Sequence, residues 1–140
     1  MDHSDVSGLA RTVAMKDRLL VQSRYSRLGA STILRNMQYQ PWLEDAGFNV
    51  EYAALFDDDY LQKLYSRQKS KNDLLRYYRK RISKLQQRPN PKLAWIEYET
   101  LPWLPWTMEK ALLPTSFPFA SDYDDAVFHR YDRNKFASVR

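Results

Sequence analysis

Cysteine is absent from this chain, and histidine occurs only at His3 and His129. The first absence excludes disulfides and thiolate metal ligands, as expected of a protein in the reducing cytoplasm. No apolar run approaches the ~20 residues of a membrane-spanning helix. The opening "MDHSDVSGLARTVAMKDR" carries acids and lacks the apolar stretch of a signal peptide, so residues 1–16 are expected to form a flexible leader. No internal repeat is present. With 44% hydrophobic and 14% aromatic residues in a chain of 140, what remains is one domain's worth of sequence with enough apolar material for a real core. The net charge of +5 suggests an anionic partner, and the position of that charge matters more than its sum.

The local patterns alternate. "LLVQS" (Leu19 to Ser23) has the length and apolarity of a buried strand. A turn through Gly29 leads into a helix opening at Ala30 or Ser31, along which Ile33, Leu34, Met37, Trp42 and Leu43 recur at helical spacing until Gly47 stops it. "FNVEYAAL" is a second strand by alternation. After "FDDDY" a long helical stretch runs to about Gln87, with Leu61, Leu64, Tyr65, Leu75, Tyr78, Ile82 and Leu85 stepping by three or four. Pro89 and Pro91 break it. "KLAWIEYE" is a third strand, and "TLPWLPWTMEKALL" a helix capped by Thr100 with Leu101, Leu104, Met108 and Leu112 inward. "SFPFAS" makes a short fourth strand. Strands alternating with helices imply an α/β fold, a Rossmann-like three-layer domain with a mostly parallel sheet.

In such sheets ligands bind beyond the carboxyl ends of the strands. The loops 24–30, 55–59, 97–100 and 122–125 emerge there. The last belongs to "SDYDDAVFHRYDR", which gathers Asp122, Asp124, Asp125, His129 and Asp132. Asp122-Tyr123-Asp124 has the D-x-D spacing of a metal clamp, but two aspartates are a thin shell for a cation that takes about six oxygens. An EF-hand is excluded because the run lacks its sixth-position glycine and its glutamate at position twelve. Hydroxyl recognition or acid/base work by the aspartates, and a plain solvated turn, are the other readings.

Three stretches carry a family resemblance: "LGASTILRNMQYQPWLEDAGFNVEYAALFDDDYL", "KLAWIEYETLPWLP" and "SDYDDAVFHRYD". In order and spacing they resemble the N-terminal domain of bacterial family 4-type glycosyltransferases, half of a GT-B fold, over about Arg18 to Asp132. The single Gly29 followed by Ala30 departs from the paired glycines common in that family. The resemblance implies that residues 17–140 are the acceptor-side domain of an enzyme moving a hexose from a nucleotide sugar to a glycan or lipid-linked acceptor. The donor-binding C-terminal domain is absent, so this chain alone is expected not to turn over. Asp122 and Asp124 would then work at the acceptor hydroxyl. Asp125 would line the acceptor pocket or cap the next helix. His129 would contact substrate or pair with Asp125 four residues back. Gly29 and Ala30 would face the donor diphosphate with Arg35, and Glu97 would join the substrate-binding set. No metal and no cofactor beyond the nucleotide sugar are implied, because GT-B enzymes typically neutralise the diphosphate with basic residues and helix N-termini.

Charge gives the last feature. From Leu61 to Arg88 ten Lys or Arg face a single acid, Asp73. With tyrosines interleaved, this reads as a basic amphipathic helix for an anionic membrane surface, Arg76, Arg79, Arg81 and Lys84 being the expected contacts. A solvated helix face is the plain reading of the same residues. No recognised nucleic-acid module accompanies them. A non-catalytic binding module docking anionic lipid or a protein partner is therefore the rival to the transferase.

Overall fold

A run such as Leu19-Leu20-Val21-Gln22 is buried on both sides only when it lies between two other strands and under two layers of helix. In the computed structural model, which describes residues 16–66, 73–114, 116–123, 126 and 129–133, it does. Strand β1 (Asp17–Gln22) pairs in parallel with β2 (Phe48–Tyr52) on one side and β3 (Leu93–Glu97) on the other; β4 (Phe119–Asp122) adds in parallel to β3. The order is β2-β1-β3-β4. The expected α/β, Rossmann-like architecture is thus present, and the sheet, expected to be mostly parallel, is parallel throughout among the described residues.

Right-handed crossovers set the layers. The helices α1 (Ala30–Arg35) and α2 (Gln40–Asp45) lie on one face, and α3 (Asp58–Tyr65), α4 (Asp73–Gln86) and α5 (Trp106–Leu112) on the other. A final short helix, α6, spans His129–Asp132. On the second face Leu20 and Ala94 pack with Leu85 and Phe117. Beyond the strand ends Leu55, Phe56, Tyr77, Tyr78 and Leu101 form a second core cluster. Each fully buried leucine here stabilises by roughly 2 kcal/mol.

Several elements depart from the sequence pattern. The single helix expected from Ala30 to Gly47 is two, separated by a 3-10 turn at Met37–Tyr39. Pro41 is the cause: within a continuous helix its ring would meet the Met37 carbonyl and remove a bond, whereas at the first turn of α2 it costs nothing. The apolar residues at that helical spacing lie largely outside, with Ile33, Leu34 and Trp42 all exposed. Gly47 does end α2, at φ 93°, its N–H on the Glu44 carbonyl. The long basic helix is observed as α3 and α4, and residues 67–72 between them lie outside the described set.

The helix expected from Thr100 starts only at Trp106, because Trp103 sits at φ 68° and cannot be helical. Its inward side chain is Glu109, while Met108 and Leu112 are exposed. Glu109 faces in because its Oε1 accepts the buried N–H groups of Thr100 (2.9 Å) and Leu101 (3.2 Å). Among the described residues no helix is long and apolar enough to cross a membrane.

Candidate functional site

In the order β2-β1-β3-β4 the connection from β1 to β2 runs one way across the sheet and that from β2 to β3 returns the other way, so the crevice beyond the carboxyl ends of β1 and β3 is the topological switch point. Polar residues end both strands. The Arg24 backbone N–H donates to Glu97 Oε2 at 2.9 Å, tying the two loops together. Glu97 is 1% exposed, and its Oε1 has no hydrogen-bond partner. Buried this way, Glu97 fixes the β1 loop instead of standing open to a substrate.

Beneath the crevice lies Arg81, 3% exposed, its Nε donating to Gln22 Oε1 (3.2 Å) and its Nη2 to the Ser23 carbonyl (3.1 Å). Burial lowers its pKa to about 9, with Glu97 and Glu109 pulling the other way, so it stays charged at neutral pH. Arg81 therefore leaves the expected lipid-facing set: it is a strut of the sheet end. Of the other residues in that set, Arg76 and Arg79 are exposed, Arg76 also stacking on the Tyr77 ring at 5.0 Å. Lys84 is half-buried and pairs with Glu51 and Gln87. Lys80, which the charge count passed over as a contact, is exposed beside Arg76 and Arg79.

Gly29 precedes α1. A Cβ there would stand 2.7 Å from Tyr25 Cβ and 3.2 Å from the Ser26 carbonyl, so the loop closes only around glycine. Thr32 Oγ1 and Ser23 Oγ both donate to the Tyr25 carbonyl, at 2.9 and 2.7 Å, holding the same loop. The Arg24 guanidinium carbon lies 5.4 Å from the Trp103 ring centroid and 5.9 Å from that of Tyr25. Ala30, the first residue of α1, is exposed beside this loop.

Asp122 ends β4, and its Oδ1 stands 2.9 Å from Arg35 Nη2. Arg35 Nη1 donates to the Tyr98 hydroxyl at 2.6 Å, and the Tyr98 N–H donates to the Asp122 carbonyl at 3.1 Å. Tyr98 adopts φ 64°, a strained conformation for a bulky residue, and this turns its ring toward Arg35 and Tyr123. The strand-end rule pointed to this loop but singled out the carboxylate; nothing in the sequence marks Tyr98. The Arg35–Asp122 pair closes the polar end of an open groove of about 830 Å³, whose walls are mainly Leu34, Tyr39, Trp42, Leu43 and Trp95. An ion-paired carboxylate beside a guanidinium offers acceptors and donors to neighbouring hydroxyls, and the aromatic walls suit the apolar face of a ring.

Other members of the acidic run fall elsewhere. Asp124 and Asp125 lie outside the described residues. His129 faces Asp132 at 3.4 Å on an exposed turn of α6. Among the described residues no group of three or more His, Cys, Asp or Glu comes together as a metal site.

No family model matches the chain, and no curated protein or solved structure matches it either.

Proposed function

We propose that the chain is the acceptor-side domain of a GT-B glycosyltransferase, taking part in hexose transfer from a nucleotide sugar to a glycan or lipid-linked acceptor at the cytoplasmic side of the cell. The observation that carries this reading is Asp122: a partly exposed carboxylate at the carboxyl end of a parallel strand, paired with Arg35 at the mouth of an aromatic groove. In that role Asp122 accepts a hydrogen bond from the acceptor's hydroxyl and takes its proton as that oxygen bonds to the anomeric carbon and the bond to the leaving nucleoside diphosphate breaks, and Arg35 holds the carboxylate in place. The tight Gly29 loop and Arg24 line the neighbouring crevice, where the donor diphosphate would pass. The donor half belongs to a separate domain.

The division of labour is testable on the chain as it stands. Calorimetry with short hexose-containing glycans is expected to give weak saturable binding, reduced about tenfold or more in Asp122→Asn, which loses the charge but keeps the size. Nucleotide sugar is expected to bind more weakly than about millimolar, or roughly −4 kcal/mol, because half of its cleft is supplied elsewhere. Micromolar affinity for the nucleotide sugar alone contradicts a split site, and glycan binding indifferent to Asp122→Asn removes Asp122 from it.

A second reading rests on α4. Its outer residues Arg76, Arg79 and Lys80 are exposed, and with Asp57 the acid facing Arg76 and Lys80 the cations remain in excess there, which suits peripheral docking on anionic lipid. It serves either a transferase acting on a lipid-linked acceptor or a non-catalytic module.

A further inference from the structure

The outer edge of β4 is the least protected part of the sheet. Hydrogen bonds from the Ala94 N–H to the Pro118 carbonyl and from the Tyr98 N–H to the Asp122 carbonyl turn Pro118 and Asp122 toward β3. Alternation turns Ala120 the same way and points the backbone groups of Phe119 and Ser121 outward. Among the described residues no strand pairs with them. Phe119, Ala120 and Ser121 are all exposed, although an all-parallel sheet is ordinarily covered on both faces. Ser121 lines the aromatic groove on one face and, with Phe119 and Trp106, a cavity of about 160 Å³ on the other. Beside the strand Trp42, Leu34, Trp106 and Tyr123 are 67, 65, 64 and 56% exposed. Four short residues of bare edge with apolar groups on both sides are a surface prepared for another strand.

We propose that this edge joins two copies of the chain about a two-fold axis through Ala120, making one continuous sheet. A second copy fits because the edge complements itself. Antiparallel pairing centred on Ala120 sets Phe119 opposite Ser121 of the second copy, so the outward N–H and C=O groups of each satisfy the other's. It sets Asp122 opposite Pro118, and Asp122 is already paired with Arg35, so no like charges meet at the seam. The small side chain at the axis lets the aromatic flanks of both copies close over it. One side of a stable interface of standard size buries about 800 Å², and the exposed Trp42, Leu34, Trp106 and Tyr123 beside the edge supply apolar surface toward it. The dimer draws on Leu34, Trp42 and Tyr123, which also line the groove assigned to the acceptor, so dimer and bound acceptor compete for this face, and the assembly is tested with no glycan present.

Sedimentation equilibrium of the full chain is expected to show a reversible monomer–dimer equilibrium. Hydrogen exchange is expected to slow at the Phe119 and Ser121 amides as the dimer fills. Ser121→Pro removes an outward donor without breaking a bond to β3, and is expected to weaken dimerisation by about tenfold or more while leaving the far-UV circular dichroism unchanged. Phe119→Lys, which brings two cations to the seam, is expected to do the same, and it decides the matter alone if the proline variant does not fold. A chain that stays monomeric up to millimolar concentration overturns the proposal. So does a dimer as tight in both variants as in the wild type, or one in which the two amides exchange as fast as in the monomer.

Discussion

Glu109 holds together what the surrounding sequence cannot. The loop from Tyr98 to Leu104 contains two bulky residues at positive φ, and its buried N–H groups at Thr100 and Leu101 both donate to the Glu109 carboxylate. Burial raises the Glu109 pKa, and these same hydrogen bonds oppose the rise without cancelling it. With the folded value above the unfolded one, the protonated form is the one folding favours. Its contribution to stability is therefore complete below the ordinary value of 4.5 and is lost as pH rises through the raised folded value. Glu109→Gln keeps an acceptor but cannot ionise. It is expected to hold its urea midpoint as pH rises from about 4 to 7 better than the wild type does, once other titrating groups are matched by comparing the two proteins. Glu109→Ala is expected to cost about 2–4 kcal/mol at either pH, because two buried donors lose their acceptor. If the glutamine and wild-type proteins show parallel pH profiles, burial does not strain the carboxylate.

At the scale of elements the two glycines that close turns make different demands. Gly47 needs its φ of 93°, with open space where a Cβ would go; Gly29 has ordinary torsions but no room, its Cβ position lying 2.7 Å from Tyr25 Cβ. Gly47→Ala is expected to cost about 1 kcal/mol through backbone strain alone. Gly29→Ala is expected to cost about 1–3 kcal/mol and to shift the Tyr25 loop, read by chemical denaturation and by the Tyr25 ring resonances. Equal, small losses at both sites would mean that the Gly29 loop yields freely.

These turns were legible from the chain, as were the four strands, because each depends on a local period or one residue type. The break before α2 was legible in principle through Pro41, but the apolar spacing around it argued for continuity. The late start of α5 was not, since Trp103 has no property that announces a positive φ. In the candidate site the same division holds. Asp122 could be placed by the strand-end rule, whereas its partners Arg35 and Tyr98 meet it only across the sheet, a distance no motif encodes.

For the molecule as a whole, the distribution of positive charge matters more than its amount, and Arg81 shows why. It lies about 140° around α4 from Arg76, on the stripe of Tyr77, Tyr78 and Leu85, and is buried with them. Counting charges along the chain counts it as surface; following the helical period removes it and promotes Lys80. The two arithmetics predict different behaviour at a membrane. Replacing Arg76, Arg79 and Lys80 together by Gln is expected to abolish pelleting with anionic vesicles, since about 1 kcal/mol per cation amounts to roughly 10²-fold in affinity. Raising the salt is expected to release the wild type too, because screening acts over ~8 Å at physiological ionic strength and less above it. Arg81→Met is expected to lower stability by about 2–3 kcal/mol by leaving Gln22 and the Ser23 carbonyl without their donor, yet to pellet like the wild type while it remains folded. Pelleting that survives the triple change but fails in folded Arg81→Met would reverse the assignment of faces. A wild type that never pellets would make the outer stripe of α4 a solvated surface.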